Sequence, residues 1–313
     1  MKKSIHYIVL ACLVSLFGLL VDSVSVEASK ANKEPLRIVT SFYPMYAITK
    51  EIVGDKHPVY MINSSMGIHG FEPSANDVAE IYQADLFIYH SVALESWTKN
   101  IAKNAKSHPV QLIEASQGLD LMKVQGLEDM ESVAGMASAS LYDPHTWLDP
   151  IEAGREATLI ANHLAEIDPN NADFYQQNAK SFNQKAKALV DTYHPIFAKL
   201  KNKTFITQHT AFSYLAKRFG LKQLGIAGIS SEVEPSSKRM AEIQQFIQRY
   251  QVKTLFVEPN ANQNMAKTVA KATGVKLATL SPLESDPQNN RSFLDNLASN
   301  IQILAETLQK EGN

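Results

Sequence analysis

An α/β fold of two lobes, each a mostly parallel sheet flanked by helices and the two joined by a long linker helix, follows from three features of the 313-residue chain. Short β-branched runs recur at 37–40, 59–62, 86–89 and 110–113, and a second set at 204–207, 223–226, 254–257 and 276–279. Helix-patterned stretches such as 236–250 and 263–273 separate the runs, and alternation of this kind builds parallel sheets covered on both faces. Between the two sets lies one long apolar stripe at helical spacing.

Residues 1–28 read as an export signal, with Lys2 and Lys3 as a positive start, an apolar run over 5–21, and Val26-Glu27-Ala28 as a small-residue cleavage site. The mature chain then begins near Ser29 and is exported to the cell surface or another extracytoplasmic space. A permanent membrane anchor is the competing reading, against which the run falls short of the roughly 20 residues that span a bilayer. Cys12, after Val9-Leu10-Ala11, weakly resembles a lipidation box. Cleavage there would leave 13–21 as a greasy new N-terminus, so Cys12 is read as a small hydrophobe and lipid anchoring stays an open alternative.

The first strand set places an N-terminal lobe at 29–167, and the linker follows at 168–202. Asp168-Pro169 predicts an N-cap with proline at the first helical position. Phe174, Phe182, Ala186, Leu189, Tyr193, Phe197 and Leu200 then form one apolar stripe. A helix over 169–201 would be about 50 Å long, enough to cross two stacked lobes. Pro195 predicts a bend or interruption near His194-Pro195, because an interior proline removes a hydrogen bond. The second strand set places a C-terminal lobe at 203–313.

Composition narrows the function. With 30 basic against 32 acidic residues the net charge is −2, and 45% of residues are hydrophobic. This is folded, globular composition without the basic surplus that nucleic-acid binding needs. One cysteine excludes intrachain disulfides and cysteine-cluster metal sites. The chain carries no H-E-x-x-H, no G-x-S-x-G, no Walker A loop and no G-x-G-x-x-G.

Of nine histidines, His6 belongs to the signal, and His57, His108, His163 and His194 sit in polar or helical contexts that suit solvated side chains. His90 ends a strand beside Ser91 and could border a site. Three others stand apart. His69 lies between Gly67 and Gly70, His145 between Pro144 and Pro150, and His209 directly after the strand 204–207, where it opens the next helix. Open α/β sheets place ligands beyond the carboxyl ends of their strands. Together the three point to one site shared by both lobes.

Glu284, in Ser281-Pro282-Leu283-Glu284, again follows a strand, with Asp286 as the adjacent alternative. Three neutral imidazoles and one carboxylate make a tetrahedral set for Zn²⁺. Manganese and magnesium prefer more oxygen ligands, and copper would win on affinity order alone, so metal availability also decides. A fourth protein ligand closes the site, whereas a free Glu284 could act as general base of a zinc hydrolase. Glu72, Asp143 and Asp149 are local candidates to orient the ring nitrogens.

At these loops the sequence resembles the metal-binding receptors of bacterial ABC importers, specifically the streptococcal zinc-binding, laminin-binding lipoproteins. The resemblance covers about residues 36–308. Its most specific segments are Val39-Thr40-Ser41-Phe42-Tyr43-Pro44-Met45-Tyr46-Ala47, Gly67-Ile68-His69-Gly70-Phe71-Glu72-Pro73-Ser74, Leu141-Tyr142-Asp143-Pro144-His145-Thr146-Trp147, Thr207-Gln208-His209-Thr210-Ala211-Phe212-Ser213-Tyr214-Leu215 and Leu280-Ser281-Pro282-Leu283-Glu284.

The resemblance implies a monomeric receptor holding one metal between two lobes and delivering it to a membrane permease driven by an ATPase. It puts the ligands at His69, His145, His209 and Glu284. Manganese-type relatives carry a carboxylate at the position of His209 and an aspartate at that of Glu284, so this set implies one zinc ion per chain. A manganese receptor of the same family and a zinc hydrolase are the alternatives. Laminin adhesion is a second function implied by the resemblance alone. Three departures stand out: the stretch 122–140 has no histidine, so no auxiliary metal-collecting loop is expected, the lipidation box is out of place, and Pro195 in the linker helix is expected to soften the joint.

Overall fold

Two four-stranded parallel sheets carry the architecture. In the first, β1 (Ile38–Thr40), β2 (Val59–Met61), β3 (Leu86–Tyr89) and β4 (Gln111–Glu114) lie in the order β2-β1-β3-β4. In the second, β7 (Thr204–Thr207), β8 (Lys222–Gly225), β9 (Thr254–Val257) and β10 (Lys276–Thr279) lie in the order β10-β9-β7-β8. Between them in sequence, β5 (Met122–Lys123) and β6 (Tyr142–Asp143) form a short antiparallel pair. The computed structural model describes residues 34–62, 67–123, 142–228, 236–259 and 261–312. The predicted export signal, Cys12 and the stretch 124–141 lie outside the described residues.

The strands form where β-branched and aromatic runs are buried on both faces. Every residue of β1, β3, β7 and β9 is buried, whereas the edge strands β2 and β10 are more exposed. Helices α1 (Tyr43–Val53), α2 (Ala75–Gln83) and α3 (Thr98–Asn104) flank the first sheet. The second lobe carries α6 (Ser213–Phe219), α7 (Ser237–Tyr250) and α8 (Asn264–Thr273). Local chemistry starts and stops them: Ser74 and Asp77 form a reciprocal capping box on α2, and Gly220 and Gly274 close α6 and α8 in left-handed conformations that a side chain would disfavour.

The helix α4 (Pro150–Ile167) is capped by the Asp149 carboxylate, which accepts from the Ile151 amide, with Pro150 in the first turn. The linker is α5 (Ala172–Ala198), 27 residues and about 40 Å long, preceded by a 3-10 turn over Pro169–Asn171. The predicted stripe faces inward: Phe182, Ala186 and Phe197 are buried, with Tyr175 and Ala179 on the same side.

Three expectations change here. Asp168 does not cap with its side chain; its carboxylate accepts instead from Tyr175 Oη at 2.7 Å and Asn171 Nδ2 at 2.6 Å. Helix α5 runs on through Pro195 without interruption, because the proline sits within the last turn and removes only one rung of the ladder. His57 is buried rather than solvated: its Nδ1 accepts from the Leu36 amide at 3.1 Å and its Nε2 meets Tyr175 Oη at 2.6 Å. Burial holds its pKa below the usual histidine value, against the pull of Asp168.

The final helix α9 (Phe293–Gly312) touches both lobes, its first amide donating to Glu51 on α1 and Asn296 donating to Tyr43. Phe182 of the linker stacks on Phe293, with centroids 6.5 Å apart. The lobes are further tied by Arg218 on α6, which makes a forked ion pair with Asp149, and by Tyr214, which donates to the Asp143 carbonyl. Phe182 is central to this shared core, at 2% exposure. Phe182→Ala should lower the unfolding free energy by about 3–5 kcal/mol, read as a lower midpoint in urea with an unchanged slope.

Candidate metal centre

Each predicted site residue stands beyond the carboxyl end of a strand. His69 follows β2, His145 follows β6, His209 follows β7 and Glu284 follows β10. His209 sits four residues ahead of α6 rather than opening it. The two lobes bring the four side chains into one cluster whose donor atoms all lie within 4.8 Å of one another. Asp286 is not among them; its carboxylate accepts from the Gln288 amide in the turn that follows.

The distances within the cluster are specific. His69 Nε2 lies 3.2 Å from His145 Nε2, and His145 Nε2 lies 3.4 Å from His209 Nε2. Glu284 Oε1 lies 3.3 Å from His69 Nε2, 3.2 Å from His145 Nε2 and 3.2 Å from His209 Nε2. A tetrahedron of nitrogen and oxygen ligands at zinc bond lengths has edges of about 3.3–3.4 Å. Five of its six edges are therefore matched to within about 0.2 Å, and the residues fit a Zn²⁺ ion.

Two rings have their tautomers set from behind. His145 Nδ1 donates to Asp143 Oδ1 at 2.6 Å, and the same oxygen accepts the His145 amide at 2.9 Å. His209 Nδ1 donates to Glu258 Oε1 at 2.5 Å. With Nδ1 carrying the proton, each Nε2 turns a lone pair to the centre of the cluster, the orientation a metal ligand needs. Asp143 thus fills the role predicted for it. Glu72 is exposed, and Asp149 caps α4 and binds Arg218 instead.

Glu258 was not anticipated. It follows β9, the same positional signal that drew attention to Glu284, but its partner His209 lies 49 residues earlier. His90 lies one layer deeper. Its Nε2 donates to the Thr146 hydroxyl at 2.7 Å, the hydroxyl donates to Glu156, and all three side chains are buried.

Convergence of these groups shifts their protonation. Desolvation opposes charge on His209, but its bonds to Glu258 and Glu284 prevail and push its pKa up to about 10. His145 is likewise held above its usual value, Asp143 overcoming the effect of burial. Burial would raise Glu284, yet the three histidines hold it well below the usual carboxylate range.

The family described as zinc-uptake complex component A, periplasmic, matches residues 38–307. The chain belongs to this family. It is 35% identical over 315 residues to the high-affinity zinc uptake system protein ZnuA of Bacillus subtilis, covering 98% of each chain. Among solved structures, a zinc(II)-bound variant of AdcAII from Streptococcus pneumoniae is 55% identical with a TM-score of 0.82, covering 88% of this chain and 98% of that one. The laminin-binding protein Lmb of Streptococcus agalactiae, described as bifunctional with adhesin and metal-transporting activity, is 50% identical with a TM-score of 0.81, covering 88% and 100%. The chain spans 61% of the length of the zinc-binding lipoprotein AdcA of Streptococcus pneumoniae, which it also matches. Zinc-uptake component A is a family of transport receptors rather than of enzymes. Among the described residues no helix is long and apolar enough to cross a membrane.

The metal-free protein should show a defined pH profile. A histidine whose folded pKa is raised adds stability that is complete below its unfolded value of 6.5 and is lost as pH climbs through about 10. The depressed Glu284 adds stability that is complete above 4.5 and is lost as pH falls. Urea unfolding in the presence of a chelator should therefore be hardest between these two values and easier at pH 9–10, the alkaline loss becoming smaller in His209→Ala, where only the raised His145 is left to supply it.

Proposed function

We propose that this chain is an extracytoplasmic receptor that captures Zn²⁺ with His69, His145, His209 and Glu284 and delivers it to an ABC permease. The observation that carries the reading is the match of donor spacing to a zinc tetrahedron. Two ligands come from each lobe, so the ion bridges lobes at 29–167 and 203–313 across the linker at 168–202. The protein acts as a monomer, exported by its first 28 residues, and the arrangement of four protein ligands leaves no coordination position for a reacting water. It is therefore a carrier without catalytic activity. A manganese site would need more oxygen donors than this set offers.

Capture proceeds by exchange of protons for metal. With His209 titrating near 10, the metal-free site is protonated at neutral pH, so the incoming ion displaces protons. Asp143 and Glu258 hold the Nδ1 protons of His145 and His209, so the proton that the ion displaces is the one on Nε2. Bound zinc should stabilise the fold by about 4 kcal/mol when free zinc is a thousand times the dissociation constant.

Zinc titration of the mature chain should give one ion per molecule, with protons released at pH 7 and affinity still rising toward pH 10. Calorimetry in buffers of different ionisation enthalpy reads both. His209→Ala and Glu284→Ala should each weaken binding by more than the roughly 10–100-fold expected for Glu258→Gln, which removes only an orienting partner. Undiminished zinc affinity in Glu284→Ala would revive an open, hydrolase-like site, and a preference for manganese would overturn the assignment.

A second reading, laminin adhesion, is favoured by the 50% identity to Lmb. If adhesion uses the metal cleft, His209→Ala should lose laminin and zinc together on a laminin-coated surface. Laminin binding retained by the metal-free variant would assign adhesion to a separate surface.

A further inference from the structure

The loop that carries Glu284 is held in an unusual backbone conformation. Leu283, directly before it, has φ of 54°, in the left-handed region that a branched side chain disfavours. Its side chain is buried. The start of the loop is fastened by its own lobe, where Asn300 on α9 donates to the Ser281 carbonyl at 2.6 Å and accepts from the Ser281 amide at 3.2 Å. Ser281 Oγ in turn accepts from the Leu283 amide at 3.1 Å.

Pro282 is fastened from the other lobe. Its carbonyl accepts from Trp147 Nε1 at 2.9 Å. Trp147 is fully buried in the turn that follows His145, wedged edge-on against Phe42 and His90 and packed against the His145 ring at 5.1 Å. One side chain therefore touches the ring of one site residue and the backbone two residues before another, across the interface between lobes.

Resting on the zinc-receptor reading above, we propose that Trp147 is a positioning residue: its indole N–H holds the strained Leu283 turn so that Glu284 reaches the metal only while the lobes are together. Separation of the lobes withdraws the indole, Leu283 leaves the left-handed region, and Glu284 swings away from the three histidines. Loss of the carboxylate first is the step that frees the ion. The coupling needs no large hinge, because a shift that breaks one hydrogen bond at 2.9 Å is enough.

The test is a double-mutant cycle on the mature protein, reading zinc release into a chromophoric chelator by stopped flow and the visible spectrum of the Co²⁺-loaded form. Trp147→Phe keeps an aromatic ring while removing the donor and part of the buried indole, so the Glu284→Gln background separates the lost hydrogen bond from the lost packing; it should speed zinc release at least about fivefold. It should also weaken the cobalt absorption, as water replaces a carboxylate that no longer reaches the ion. In a Glu284→Gln background Trp147→Phe should change neither readout. Adding Leu283→Gly to Trp147→Phe, which frees the turn from strain, should restore slow release. Wild-type release and spectrum in Trp147→Phe would overturn the proposal, as would equal acceleration with and without Glu284, which marks a merely structural tryptophan. Should Leu283→Gly fail to fold, the cycle with Glu284→Gln decides alone. A wild-type chain that binds no zinc would instead refute the receptor reading on which the proposal rests.

Discussion

Four electron-pair donors, five of whose six separations are 3.2–3.4 Å, repel unless a positive charge sits among them. Protons meet that need at neutral pH, Glu258 and Glu284 together holding one on His209 while the three histidines keep Glu284 ionised. A zinc ion meets it better, with two charges at the centre and bond lengths that match the edges. The rest of the fold can be understood as the means of holding this unfavourable arrangement in place.

That means is distributed over both lobes. Parallel sheets deliver His69, His209 and Glu284 on loops beyond their carboxyl ends, the short antiparallel pair delivers His145, and each lobe contributes two of the four groups. Asp143 and Glu258 fix ring tautomers from behind, while the chain from His90 through Thr146 to Glu156 braces the turn that carries His145. The aromatic core around Phe42, Trp147, Phe182 and Phe293 runs continuously from lobe to lobe. With α5 and α9 crossing the same boundary, the lobes are restrained far more than a flexible linker would restrain them. Small displacements at the ligand loops, rather than wide opening, are the motions such a body allows.

Much of this was legible from residue order alone. Strands at 204–207, 254–257 and 276–279 were read at their observed ends; the first two are buried along their whole length, as β-branched and aromatic runs between turn residues suggest, whereas the third is a more exposed edge strand. His69, His145, His209 and Glu284 were marked by their place after strands and beside glycine or proline. His57 was misread because its partners Asp168 and Tyr175 lie 111 and 118 residues away, and polar neighbours in sequence suggested solvent. Pro195 was overweighted because nothing local says that the helix ends three residues later.

The sequence by itself determined the alternation of elements, the division into two strand sets and the residue types able to hold zinc, all of which depend on local periodicity and side-chain chemistry. Only the tertiary structure decided that Glu284 rather than Asp286 faces the histidines, that Glu258 backs His209, and that Trp147 reaches Pro282. Those relations are distances of a few ångströms between residues 49 to 139 positions apart, set by how two sheets pack across a shared core. No periodicity along the chain encodes them.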